Sequence, residues 1–207
     1  MRHFLRPLIA LSILAIASTA QAASLAEIKQ GWIDAKYHTP DKKAQEKKLD
    51  ALVTDAATLS DDAEAKVWHA VVLATRAKLI GGTSALDDIR SAKNLLESAL
   101  KANPPSAADG YANALLGALY GKAPGWPISF GDTSKAEKNF AKAVAAGPDN
   151  IDVNFLHGEF LAEQGKTAEA RAAFEKVLAT KPRKGREAAD AGRREETEIA
   201  LAKLPAA

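Results

Sequence analysis

The sequence predicts an all-α fold, an α-solenoid of antiparallel helix pairs with a C-terminal capping helix. Three observations predict it. Ala136, Phe140 and Pro148 recur in the same order 34 residues later as Ala170, Phe174 and Pro182, and a fixed offset of that size marks stacked helix pairs. Three segments carry one apolar pattern at helical spacing: Ala92, Leu95, Leu96, Ala99 and Leu100; Ala136, Phe140, Ala143 and Val144, with Asn139 at the remaining site; and Ala170, Ala173, Phe174, Val177 and Leu178. Such spacing stripes one helix face. No segment alternates with period two long enough to suggest a sheet.

The elements follow in chain order. Arg2, His3 and Arg6 precede an apolar run from Leu8 to Ala17 and the small-x-small end Ala20-Gln21-Ala22, the parts of a secretory signal peptide. At about 1.5 Å per residue this run is too short for a bilayer core of about 30 Å. The expectation is cleavage after Ala22, no membrane insertion afterwards, and a periplasmic or, second, a secreted location. The chain has no cysteine for a lipid anchor or a disulfide, so its core alone must hold it together. Residues 23–60 read as an N-terminal helix pair, Ser24 to Lys36 and Asp41 to Ala57. Ser24 and Glu27 form a capping box there, and Pro40 falls in a first helical turn.

Residues 61–182 hold the repeats. Glu64 to Ile80 is the partner of the Ala92 stripe, after a break at Gly81-Gly82-Thr83-Ser84. Tyr111 to Tyr120 precedes the middle stripe, which Ser134 and Glu137 open as a capping box. Asp152 to Glu163 precedes the last, with a turn at Gly165 and Lys166 and Thr167 as cap. The interval from Gly117 to Gly158 exceeds the 34-residue repeat by seven, and this surplus falls in a Pro/Gly-rich insertion over 121–133 carrying Trp126 and Phe130. Residues 183–207 read as a basic linker and a polar closing helix from about Ala188 to Lys203. Trp32, Trp68 and His157 are expected in the core. Asp61-Asp62 and Asp87-Asp88 are expected at helix starts, where carboxylates favour the N-terminal dipole.

Composition narrows the function. Beyond residue 22 the chain carries 26 Lys and Arg against 26 Asp and Glu, without the basic excess that nucleic-acid binding requires. The histidines His38, His69 and His157 have no partner at ligand spacing, and no hydrolase, zinc or phosphate-loop motif is present. The expectation is no catalytic residue, no metal and no cofactor: a binding protein.

Gly158, Ala170, Phe174 and Pro182 resemble, in register, the small, small, aromatic and proline sites of a tetratricopeptide repeat. Leu161 stands at the site usually held by Tyr, while His157 and Asn154 depart from the usual Leu and Trp. The resemblance implies a right-handed solenoid whose first helices line a concave groove for a protein or peptide partner. The groove positions it implies are Lys66, His69 and Arg76 in the first repeat, Tyr111, Ala114, Ala118 and Lys122 in the second, and Asp152, Phe155, Glu159 and Glu163 in the third. The groove would then run from basic to acidic. The leader and Ala123-Pro124-Gly125-Trp126-Pro127 also resemble the periplasmic T components of TRAP-type solute transporters. That implies a second function, an auxiliary subunit gripping a small solute in an apolar pocket near Trp126 and Phe130. Those two aromatics are expected to plug an exposed helix edge, the alternative being a lid beside the groove.

Overall fold

Ser24 opens the first helix as a capping box: its hydroxyl accepts the Glu27 amide, and Glu27 Oε2 accepts the Ser24 amide at 2.7 Å. The computed structural model describes residues 23–59 and 61–205; the signal-peptide expectation for 1–22 lies outside them. Among the described residues there are ten helices and no strand, with one isolated bridge between Gly125 and Gly131. They are α1 (Leu25–Tyr37), α2 (Lys42–Ala57), α3 (Ala63–Ile80), α4 (Gly82–Leu100), α5 (Pro105–Ala108), α6 (Tyr111–Lys122), α7 (Thr133–Ala146), α8 (Ile151–Glu163), α9 (Thr167–Ala179) and α10 (Glu187–Lys203).

Helices α3 and α4, α6 and α7, and α8 and α9 pair as antiparallel hairpins, with α1 and α2 packed ahead of them. Small residues facing large ones interlock the pairs. A Cβ on Gly117 would meet the Phe140 ring at 3.1 Å, and one on Gly158 would meet Phe174 at 2.6 Å. The glycines therefore let each second helix lay its Phe against the backbone of the first. Phe140 and Phe174 are sealed from solvent, as are the Ala136 and Ala170 positions of the repeat. Trp32 and Trp68 are core residues in edge contact at 5.7 Å. His157 stacks on Phe140 at 5.2 Å, and burial lowers its pKa.

Several helix starts differ from expectation. Asp132, not Ser134, caps α7, because its own amide donates to Tyr120 O at 2.9 Å and pins the end of the insertion there. Glu137 instead pairs with Lys166. Thr167 is already helical: the Lys166 amide closes the α8 turn onto Leu161 O, which leads straight into α9. Pro40 sits before the Asp41 cap of α2 rather than inside the helix. Asp62 caps α3, but Asp87 and Asp88 lie well inside α4, which starts at Gly82. After Pro104 the chain forms the short α5 before α6 begins.

The closing helix departs furthest. It was expected as a polar cap on one end, yet α10 packs on α9 and α8 and also reaches α1. Gly192 permits this contact, since any Cβ there would run into the Tyr37 ring. Among the described residues the last helix thus touches the first, and the concave side is closed at one end.

Candidate functional site

Turning α10 inward leaves a cavity of about 440 Å³ on the concave side. Its walls follow from helical spacing. Val71, Ala74, Thr75 and Lys78 come from one face of α3; Leu115, Ala118, Leu119 and Lys122 from α6; Phe155, Leu156 and Glu159 from α8. Trp32 and Lys36 of α1, Ile89 of α4, Tyr111 at the start of α6 and Arg193 of α10 line it as well. Apolar side chains make most of the surface, and the polar groups sit in two places.

At one place Lys122 pairs with Glu159 at 3.3 Å and Glu163 at 3.0 Å, with Lys78 4.0 Å from Glu159. At the other, Asp152 is buried among three arginines. Arg193 Nε donates to Asp152 Oδ1 at 3.1 Å, while Arg183 Nη2 and Arg186 Nη2 donate to Oδ2 at 2.8 and 3.3 Å. Burial alone would push the Asp152 carboxyl up; Arg193, Arg186 and Arg183 together hold it well below the usual carboxylate range. Arg183 also grips buried Asp190, and Arg193 Nη1 donates to Glu196 at 2.6 Å. Glu196 accepts as well from Lys36 at 3.2 Å. Burial, and after it Arg193, push the Lys36 ammonium down to about 7 against the opposing pull of Glu196.

Of the expected groove residues, Tyr111, Ala118, Lys122, Phe155 and Glu159 line the cavity, and Glu163 joins them through Lys122. Ala114 is buried but not on the wall. Asp152 serves the ion cluster instead of the groove surface. Lys66, His69 and Arg76 do not line the cavity. They sit about half a helical turn away from the Val71–Lys78 face. Arg76 clamps Asp88 of α4 through Nε and Nη2 at 2.8 and 2.6 Å and reaches Asp50 of α2 at 3.0 Å. His69 is half-buried, and burial followed by Arg76 lowers its pKa. The expected run from basic to acidic is corrected accordingly, because Arg76 and Asp152 are both consumed by structural ion pairs.

The insertion divides its two aromatics. Phe130 packs edge-on against Tyr120 at 5.6 Å, whereas Trp126 is 90% exposed and Ile128 63% exposed. Trp126 is therefore no plug, and neither aromatic lines the cavity. The loop is braced by Gly131 donating to Pro124 O at 2.9 Å and by the Asp132 bond to Tyr120. With the loop anchored to α6 at Tyr120, Trp126 is left exposed to solvent.

Lys36, Arg183, Arg186 and Arg193 were missed. One signal could have found α10's part: Asp190, Arg193 and Thr197 share a helix face at steps of three and four, and all three are buried. Among the described residues no group of three or more His, Cys, Asp and Glu could hold a metal ion, and no helix is long and apolar enough to cross a membrane.

No curated protein matches the chain. Residues 128–204, which span α7 to α10, match the tetratricopeptide repeat family model, a helical-repeat fold that generally serves protein–protein interaction rather than catalysis.

Proposed function

We propose that this protein is a non-catalytic binding component of the cell envelope that encloses a small, largely apolar ligand between α1, α3, α6, α8 and α10. One observation carries this reading: the cavity of about 440 Å³ with predominantly apolar walls, closed at one end by α10. Ligand sites of about 300–1,000 Å³ with few, placed polar groups are the common form for small molecules. An extended peptide would need an open groove, and α10 occupies that path. The leader pattern read in the sequence of residues 1–22 and the Trp126 loop support a periplasmic place beside a TRAP-type solute transporter, as the resemblance implies. Two experiments test this. Binding of an environment-sensitive apolar dye should be lost in Ala118→Trp, which fills the wall, with the circular dichroism spectrum unchanged; equal dye binding by both proteins would sink the cavity. N-terminal sequencing of exported protein should begin at Ala23.

A second reading, a scaffold for a protein partner, is favoured by the exposed Trp126 and Ile128 on a braced loop and by the repeat match. Aromatic anchors of this kind dominate protein interfaces. Under it, Trp126→Ala abolishes recovery of a cross-linked envelope partner while Ala118→Trp leaves recovery intact.

A further inference from the structure

The wall that α3, α6 and α8 give the cavity is unevenly exposed. Along α6, Tyr111, Leu115, Ala118 and Leu119 are buried, whereas Lys122 at its C-terminal end is open to solvent. Of the described residues lining the cavity, Lys78 and Lys122 alone are exposed. Arg193 of α10 meets Asp152 and Phe155 at the start of α8, so α10 closes the end away from Lys122. The cavity therefore meets solvent beside Lys78 and Lys122. Four charged side chains cross that opening. Lys122 of α6 pairs with Glu159 at 3.3 Å and with Glu163 at 3.0 Å, one turn apart on α8. Lys78 of α3 stands 4.0 Å from Glu159. Two cations and two carboxylates are thus spent on one another, across the ends of the three inner helices. The Lys122 side chain is 39% exposed and that of Glu163 47%. Ion pairs at such exposure are weak and are screened by salt. A lysine head on its flexible four-carbon stem swings away once they part.

We infer that Lys122, held by Glu159 and Glu163, is a gate: these ion pairs close the cavity mouth between α6 and α8, and ligand enters and leaves when they part. This rests on the cavity being the binding site and adds the route into it. Burial lowers the Lys122 pKa, but Glu159 and Glu163 outweigh it and the net shift is upward, so the ammonium stays charged at neutral pH. An uncharged ligand is not steered by these charges over distance. Salt then acts on its passage through the gate and through the hydrophobic effect, and the two leave different traces. Screening the ion pairs raises the entry and exit rates together, because the open fraction multiplies both. A stronger hydrophobic effect slows exit and tightens binding instead.

The test is stopped-flow mixing with phenylnaphthylamine, an uncharged dye that fluoresces in apolar surroundings, followed by dilution of the complex to read exit. Between about 0.05 M and about 1 M sodium chloride, both wild-type rate constants should rise at least about threefold. Lys122→Met keeps an apolar stem and removes the charge; its two rates should start high and lose their dependence on salt. Glu159→Gln combined with Glu163→Gln removes the other side of the same pairs and should do likewise. Adding Lys122→Met to that double variant should then change nothing further. Wild-type rates indifferent to salt, with dye binding present and lost in Ala118→Trp, would overturn the gate and leave the cavity reading standing. No dye binding by the wild type would overturn both. A Lys122→Met protein altered in exit alone would make Lys122 a wall contact and refute the gate.

Discussion

Gly158 has no room for a side chain, and that single position shows how the repeats are held. A methyl group there would sit 2.6 Å from Phe174 Cε1, and Phe174 is fully buried with no free side to move toward. Gly158→Ala should therefore destabilise the protein by about 1–3 kcal/mol, read as a fall in melting temperature, despite alanine's better helix propensity. Asp152 acts through charge. Its folded pKa is depressed by Arg193, Arg186 and Arg183 after burial has pushed it the other way. A depressed carboxylate adds stability above its unfolded pKa and loses it as pH falls toward the folded value. The melting temperature of the wild type should thus decline on acidification below about pH 4. Asp152→Asn should be less stable at neutral pH, by about 3–5 kcal/mol for an opened buried ion cluster, and its acid limb should be shallower. An unchanged acid limb would mean that other carboxylates govern acid unfolding.

At the scale of elements, α10 joins the last described hairpin to α1. Its contact with α1 depends on Gly192, against which the Tyr37 ring lies directly, and on the Lys36–Glu196 pair at 3.1 Å. Its contact with α8 and α9 depends on Leu201, Leu204 and the Arg193–Asp152 bond. Gly192→Leu should break the first contact and spare the second. Hydrogen exchange should then speed up in α1 and the start of α10, with α8 and α9 protected as before. The same element shows where sequence reasoning stopped. The 34-residue offset and the Ala/Phe stripes exposed the hairpins and their interlock, because packing of small against large residues is periodic and leaves a periodic trace. Of the positions expected in a groove, Tyr111, Lys122, Phe155 and Glu159 line the cavity, whereas those on α3 sit about half a helical turn from it. Lys66, His69 and Arg76 lie on a face of that helix other than the one that lines the cavity. The ion cluster was illegible. Lys36 and Glu196 stand 160 residues apart, and a helix rich in Arg and Glu looks like a solvated surface until its partners are known.

For the whole molecule, closure changes how the repeats unfold. An open stack of helix pairs is held by contacts between neighbours, so its ends can melt separately. Here the core forms two clusters, a large one from α1 through α8 that also takes in Ala189 of α10, and a smaller one of α8 and α9 with partly buried residues of α10 and Leu204 after it. The α1–α10 contact ties the second back to the start of the first. Trp32 and Trp68 report on the first cluster alone, being buried there in mutual contact, once the exposed Trp126 is replaced. In a Trp126→Phe background, urea unfolding followed by tryptophan fluorescence and by helical circular dichroism should give coincident transitions, the mark of a single cooperative unit. Adding Gly192→Leu should separate them, because the α8–α10 cluster then loses its tie to α1 and the stack behaves as an open one. Since Arg193 forms part of the cavity, opening the ring also removes one wall of the binding site. A ligand that shifts the wild-type midpoint by mass action should consequently leave the opened variant's midpoint almost where it was. Coincident transitions in both proteins would show that the hairpin interfaces alone carry the cooperativity, with α10 an appendage to α8 and α9.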